Sequence, residues 1–90
     1  MLSIEARDFQ FAPDSLSGPA GAPFEIAFTN ANPAIPHNVS IATDSGASRF
    51  GGKIINGVAS ITYVVPALPA GTYRLGCIVH PAMVGTLTIR

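Results

Sequence analysis

Cys77, His80 and Met83 fall within seven residues, C-I-V-H-P-A-M, near the end of a 90-residue chain. They are its only cysteine, one of its two histidines and its only methionine apart from Met1. A soft thiolate, an imidazole and a thioether gathered on one short loop form a ligand set suited to copper. Three residues advance a chain by no more than about 10 to 11 Å even when extended, so a loop that reverses here can hold His80 and Met83 near one point. A fourth ligand has to come from elsewhere, and His37 is the only other histidine. If its strand end neighbours the Cys77 loop, the set becomes His37, Cys77 and His80 with Met83 as a weak axial ligand. That is a blue-copper arrangement, whose role is one-electron transfer. Each residue alone has a plainer reading. A lone cysteine at a strand end is usually a small buried apolar residue, a histidine after a proline-rich stretch is commonly solvated, and Met83 could simply pack beneath the loop. The joint spacing favours the metal.

The elements that must position these residues read as strands. Leu2, Ile4 and Ala6 alternate with Ser3, Glu5 and Arg7, and the pattern then changes phase to Phe9 and Phe11, which predicts one strand with a bulge or bend. Pro13, Gly18, Pro19, Gly21 and Pro23 mark a turn region. Phe24, Ile26 and Phe28 face one way in a second strand. The segment A-N-P-A-I-P reads as an irregular, extended surface connection. A third strand runs from His37 to Ala42, with Val39 and Ile41 inward and Asn38 and Ser40 outward. Residues 43–52 read as a loop, Lys53–Ile55 as a short strand turning at Asn56-Gly57, and Gly57–Val65 as a β-branched strand. In the last pair, Tyr73, Leu75 and Cys77 point inward on one strand, and Leu87 and Ile89 on the strand running back. Six or seven short strands with turn signals between them, and no convincing helical period, indicate a β-sandwich or small barrel.

Composition narrows the function. Ninety residues suffice for one domain, residues 1–90, which buries only about 60 to 65% of its unfolded surface. Charged residues are 11% of the chain, against about 25% in an ordinary globular domain. Five basic and five acidic side chains give a formal net charge of zero. Nothing in that balance suggests nucleic acid or an anionic membrane surface as a partner. With 48% hydrophobic residues in so short a chain, some apolar side chains must face water, which leaves room for an apolar docking surface. No run of about 18 apolar residues predicts a membrane span, and the N-terminus lacks the basic and apolar segments of a signal peptide. The chain as given is expected to be soluble, with any leader or anchor removed from it. There is no open catalytic metal position, no further histidine for oxygen-binding copper and no second cysteine for a binuclear centre, so an enzyme is not expected.

The residues also carry a family resemblance. C-I-V-H-P-A-M followed by V-G-T-L-T-I resembles the C-terminal copper loop of the cupredoxins, and H-N-V at His37 resembles their upstream ligand strand. The C-x2-H-x2-M spacing is more similar to amicyanin than to plastocyanin. The match is close over the last twenty residues, moderate around His37, and elsewhere only a β pattern. The resemblance implies a single-domain Greek-key β-sandwich of about 6–8 strands holding one Cu(I)/Cu(II) ion. It implies His37, Cys77, His80 and Met83 as ligands, and Asn38 as a brace for the thiolate loop. Ile78 stands where a hydroxyl residue is common in the family, which leaves Asn38 without a side-chain partner there. The implied function is a small, periplasmic or otherwise extracytoplasmic electron carrier, a monomer that shuttles one electron between a donor and an acceptor protein. Pro33, Ile35, Pro36, Pro81 and Ala82 would surround the exposed edge of His80 if their two loops meet, forming an apolar docking patch. A copper carrier with the same fold, or a metal-free interaction sandwich, is the alternative; the exposed methionine-rich or histidine-rich tracts usual in copper carriers are missing from the sequence.

Overall fold

The computed structural model describes residues 2–90. Alternation in the sequence becomes two facing sheets. The strands are β1 (Leu2–Arg7), β2 (Gln10–Ala12), β3 (Ser15–Gly18), β4 (Phe24–Asn30), β5 (Pro36–His37), β6 (Ser40–Thr43), β7 (Ser48–Gly51), β8 (Ile55–Asn56), β9 (Ala59–Val65), β10 (Gly71–Gly76) and β11 (Val84–Ile89). One sheet has the order β2-β1-β4-β9 and the other β3-β11-β10-β6-β7, while β5 and β8 form a separate pair. β5 thus lies in the stretch that carries the chain from the first sheet to the second.

Period-two burial follows the sequence pattern. Phe24, Ile26 and Phe28 on β4 meet Tyr73, Leu75, Leu87 and Ile89 from β10 and β11 in one buried cluster. Alternate side chains of a strand project to opposite faces, so each strand supplies the core with every second residue. Ile41, Val65 and Leu68 belong to the same cluster.

The described residues form eleven strands rather than the expected six to eight, and the additions are short. The phase change at Phe9 is a two-residue hairpin turn, not a bulge. Arg7 pairs with Gln10 and Ala6 with Phe11, while Asp8 and Phe9 take positive φ angles of 51° and 60°. Mirror-image turns of this kind match the twist of paired strands. The proline-rich region contains β3, which pairs in parallel with β11 through Leu16 and Leu87. Pro13 and Pro19 flank that strand without interrupting it, and a single buried leucine is too weak a signal to stand out in the sequence. Residues 43–52 likewise contain β7, paired with β6 through a register shift. The strand read over His37–Ala42 is broken at Asn38 and Val39 into β5 and β6. Asn38 is fully buried there, not outward-facing.

Gly52 is the close approach that this break requires. Its N–H donates to the Val39 carbonyl at 2.9 Å, and its carbonyl accepts from the Asn38 side chain at 3.0 Å. A Cβ at this position would lie 2.6 Å from the Tyr63 ring and 2.7 Å from the Val39 oxygen. Gly52→Ala should therefore cost about 1–3 kcal/mol through overpacking, lowering the melting temperature by roughly 5 °C or more. Thermal unfolding followed by circular dichroism checks this, and an unchanged midpoint would refute the crowding argument.

Candidate metal centre

The loop after β10 is built from two successive reverse turns. The His80 N–H donates to the Cys77 carbonyl at 3.2 Å, and the Met83 N–H to the His80 carbonyl at 2.9 Å. Pro81 occupies the second position of the second turn, where its fixed φ is already the one required. The three-residue spacing of Cys77, His80 and Met83 is therefore the spacing of the turns themselves. β11 starts at Val84, directly after Met83.

His37 ends β5, paired opposite Ile55 of β8, and meets this loop. The Cys77 Sγ lies 3.8 Å from Nδ1 of His37 and 3.8 Å from Nδ1 of His80. All three donor atoms fall within 4.8 Å of one another. Metal bonds of about 2.3 Å to sulfur and about 2.05 Å to nitrogen, meeting near 120°, separate those atoms by about 3.8 Å. The cluster is thus sized for one metal ion. A thiolate with two imidazoles suits copper. His37 and Cys77 are 0% and 3% exposed and Met83 is 2% exposed, while His80 is only half-buried. His80 is the donor at the molecular surface.

Hydrogen bonds fix the His37 ring and the start of the Cys77 loop. The Oδ1 of Asn32 accepts from Nε2–H of His37 at 2.8 Å. An amide oxygen can only accept, so the imidazole proton sits on Nε2 and the lone pair of Nδ1 faces Cys77. Asn32 is held in turn by its own N–H donating to Oδ1 of Asn30 at 2.9 Å. Asn30 donates from Nδ2 to the carbonyls of Ile35 at 2.7 Å and Ile55 at 3.2 Å. On the other side, Oδ1 of Asn38 accepts from the Ile78 N–H at 3.0 Å while its Nδ2 donates to Gly52. The missing hydroxyl at Ile78 is therefore immaterial to this contact, because the main chain supplies the donor. Ser40 adds a bond from Oγ to the Gly76 carbonyl at 3.1 Å, where β10 ends. Among the described residues no buried side-chain nitrogen or oxygen lacks a partner.

Burial, and secondarily the positive charge that His80 can carry, hold the His37 imidazole below its usual pKa. Burial also pushes the Tyr63 phenol up to about 12, keeping it a neutral donor to the Lys53 carbonyl.

Asn30, Asn32 and Phe9 were not singled out by sequence reasoning. Asn30 falls on the inward phase of β4, one step beyond Phe24, Ile26 and Phe28, and a polar residue in that phase is a readable signal. Asn32 had none, since A-N-P-A-I-P reads as a surface segment and yet Asn32 is buried in it. Phe9 packs edge-on against both histidines, with ring centroids 5.9 Å from His37 and 5.0 Å from His80. Of the expected docking residues, Pro33, Pro81 and Ala82 are exposed, and Ile35 and Pro36 are half-buried.

The comparisons with known proteins agree with this geometry. A family model described as a cupredoxin-like domain matches residues 1–89. No curated protein sequence matches the chain. Among solved structures it is similar to dithionite-reduced auracyanin from the photosynthetic bacterium Roseiflexus castenholzii, with a TM-score of 0.84 at 19% identity over 99% of this chain and 95% of that one. It is also similar to a purple cupredoxin from Nitrosopumilus maritimus, with a TM-score of 0.76 at 22% identity over all of both chains. A mutant of amicyanin in its reduced Cu(I) form matches with a TM-score of 0.73 at 20% identity, over 99% of this chain and 81% of that one. The chain belongs to the cupredoxin-like domain family.

Proposed function

We propose that residues 1–90 act as one copper-binding electron-transfer domain. Its ligands are Nδ1 of His37, Nδ1 of His80 and Sγ of Cys77, with the Met83 thioether as a weak fourth donor. The observation that carries this reading is the convergence of three donor atoms within 4.8 Å, with the His37 ring oriented by Asn32 and the Cys77 loop tied by Asn38. Copper supplies a one-electron couple that a thiolate and two imidazoles serve in both oxidation states. The chain's contribution is stiffness. Asn32 fixes the His37 ring, Asn38 ties down the residue after Cys77, and the paired turns set the distance from Cys77 to His80. Donors that move little when the charge changes keep the barrier to electron transfer low.

His80 is the natural exit, since it alone of the three close donors reaches the surface. Apolar side chains are exposed on its loop and at the start of β11, including Ile78 at 66% and Val84 at 64%. We assign partner docking to the apolar surface around His80, formed by Pro81 and Ala82 with Pro33, Ile35 and Pro36. A small apolar contact without opposing charges suits a carrier that must release its partner quickly. On this reading the protein is a monomeric, extracytoplasmic carrier between a redox donor and an acceptor, and not an enzyme. No described helix is long and apolar enough to cross a membrane.

Adding one equivalent of copper(II) should produce an intense visible band at the red end of the spectrum, and Cys77→Ser should abolish it with the fold intact. Persistence of the band in that variant would sink the assignment. Asn32→Ala should weaken copper binding about 10- to 100-fold, the usual cost of removing the partner that orients a ligating histidine. Competition against a chelator measures it, and an affinity within about twofold of wild type would deny Asn32 this role. For the metal-free protein, the sign of the pH effect follows from His37. The unfolded imidazole titrates near 6.5 and the native one lower, so below about pH 6.5 the unfolded state binds more protons. The melting temperature should be flat above that value and fall as pH drops from about 6.5 toward 5.5. A midpoint that stays level or rises over that range would contradict it.

A further inference from the structure

Phe9 serves neither the pairing of its hairpin nor the interior of the sandwich. It follows Asp8 in a turn where both residues have positive φ, a conformation that is rare for a bulky side chain. The Arg7–Gln10 pairing needs only two turn residues, and asparagine or aspartate followed by glycine would supply them without strain. Phe9 is also 48% exposed. What its ring does contact is the donor cluster. It stands edge-on at 76° to both imidazoles, with centroids 5.0 Å from His80 and 5.9 Å from His37, while the imidazoles are 4.8 Å from each other. The ring spans the two histidines and belongs to the wall of an open groove shared with Ala82 and Met83. The Cys77 sulfur, 3.8 Å from Nδ1 of each imidazole, belongs to a residue only 3% exposed. A strained residue beside a functional cluster is an observation from which a role can be argued.

We propose that Phe9 is a lid on the donor cluster, a positioning residue that holds the His80 ring toward His37 and screens the Cys77 sulfur from water and small solutes. Its purpose rests on the copper reading above, because a screened site keeps outside ligands off the metal. The screening itself is a property of the metal-free chain and can be measured there. Edge-to-face contact with each imidazole is the favourable aromatic geometry.

The experiment compares wild type with Phe9→Gly, Phe9→Asn and Phe9→Tyr. Glycine and asparagine both accept a left-handed turn, so their metal-free forms should melt within about 3 °C of wild type or above it. The Cys77 thiol in those variants should nonetheless react with iodoacetamide roughly tenfold faster or more, because local access no longer needs an opening of the structure. Phe9→Tyr, which keeps the ring, should retain the wild-type rate. With copper(II) bound, azide should alter the visible band of the glycine and asparagine variants and leave that of wild type unchanged. Thiol rates within about twofold of wild type in both small variants overturn the lid. So does a faster rate that comes only with a lowered melting temperature in both, which would make Phe9 a packing residue. A wild-type protein that develops no copper band overturns the metal reading alone, since the thiol measurement needs no metal and still decides on Phe9.

Discussion

The burial of polar donors in an apolar sandwich is the constraint on which the rest of this structure depends. His37, Asn30 and Asn38 are each wholly excluded from solvent. A buried polar group left without a partner costs about 1–3 kcal/mol, a large fraction of the stability of so small a domain. The chain meets the constraint with a relay. Asn30 takes two main-chain carbonyls, presents its oxygen to the Asn32 N–H, and Asn32 presents its own oxygen to His37. The irregular segment between β4 and β6 follows from this. Its Ile35 carbonyl, and the Ile55 carbonyl of the facing β8, are both taken by Asn30, and β5 is only two residues long, with His37 buried at its end.

The same accounting explains why the donors differ in exposure. His37 and Cys77 are held from the interior side, one by asparagines and the other by the end of a core strand. His80 hangs from a pair of turns whose shape is set by main-chain bonds and by Pro81. A donor fixed this way can approach the surface without losing its orientation, because its position does not rely on being packed all round. The proposed role would need both conditions at once, stiffly held donors and one of them close to the surface.

Much of this was legible in the sequence, and the failures have physical causes. β4, β10 and β11 were readable because each runs six or seven residues with strict alternation. β3 and β7 were missed because strands of four residues with one or no buried side chain leave almost no periodic trace. The hairpin at Asp8-Phe9 reads in the sequence as a bulge or bend because phenylalanine is a poor turn residue, and the conflict between residue and conformation is visible only in the fold. Cys77, His80 and Met83 could be linked by spacing alone, since the turns enforce it. That His37 would meet them could only be posed as a condition, because 40 residues separate His37 from Cys77. Asn32 was beyond reach, as its burial depends on the relay behind it.

That separation has an energetic consequence. The donors come from two places far apart in the chain, the β5–β8 pair, which belongs to neither large sheet, and the loop joining β10 to β11, and the pairing of Ser40 on β6 with Gly76 on β10 brings them side by side. Within the protein the bond from Asn38 to the Ile78 main chain ties these places together, with sulfur–imidazole contacts at 3.8 Å beside it. A metal ion bound to both would link positions 40 residues apart, and because the assembled donor set exists only in the folded chain, its binding free energy would add to the stability of the fold. The spacing of the donor atoms already matches ordinary metal bond lengths, so little strain is expected to offset that gain. On the proposed reading the centre would have two effects through one set of contacts: it would carry the electron couple, and it would fasten the end of the sandwich where the hydrophobic core gives way to asparagines and histidines.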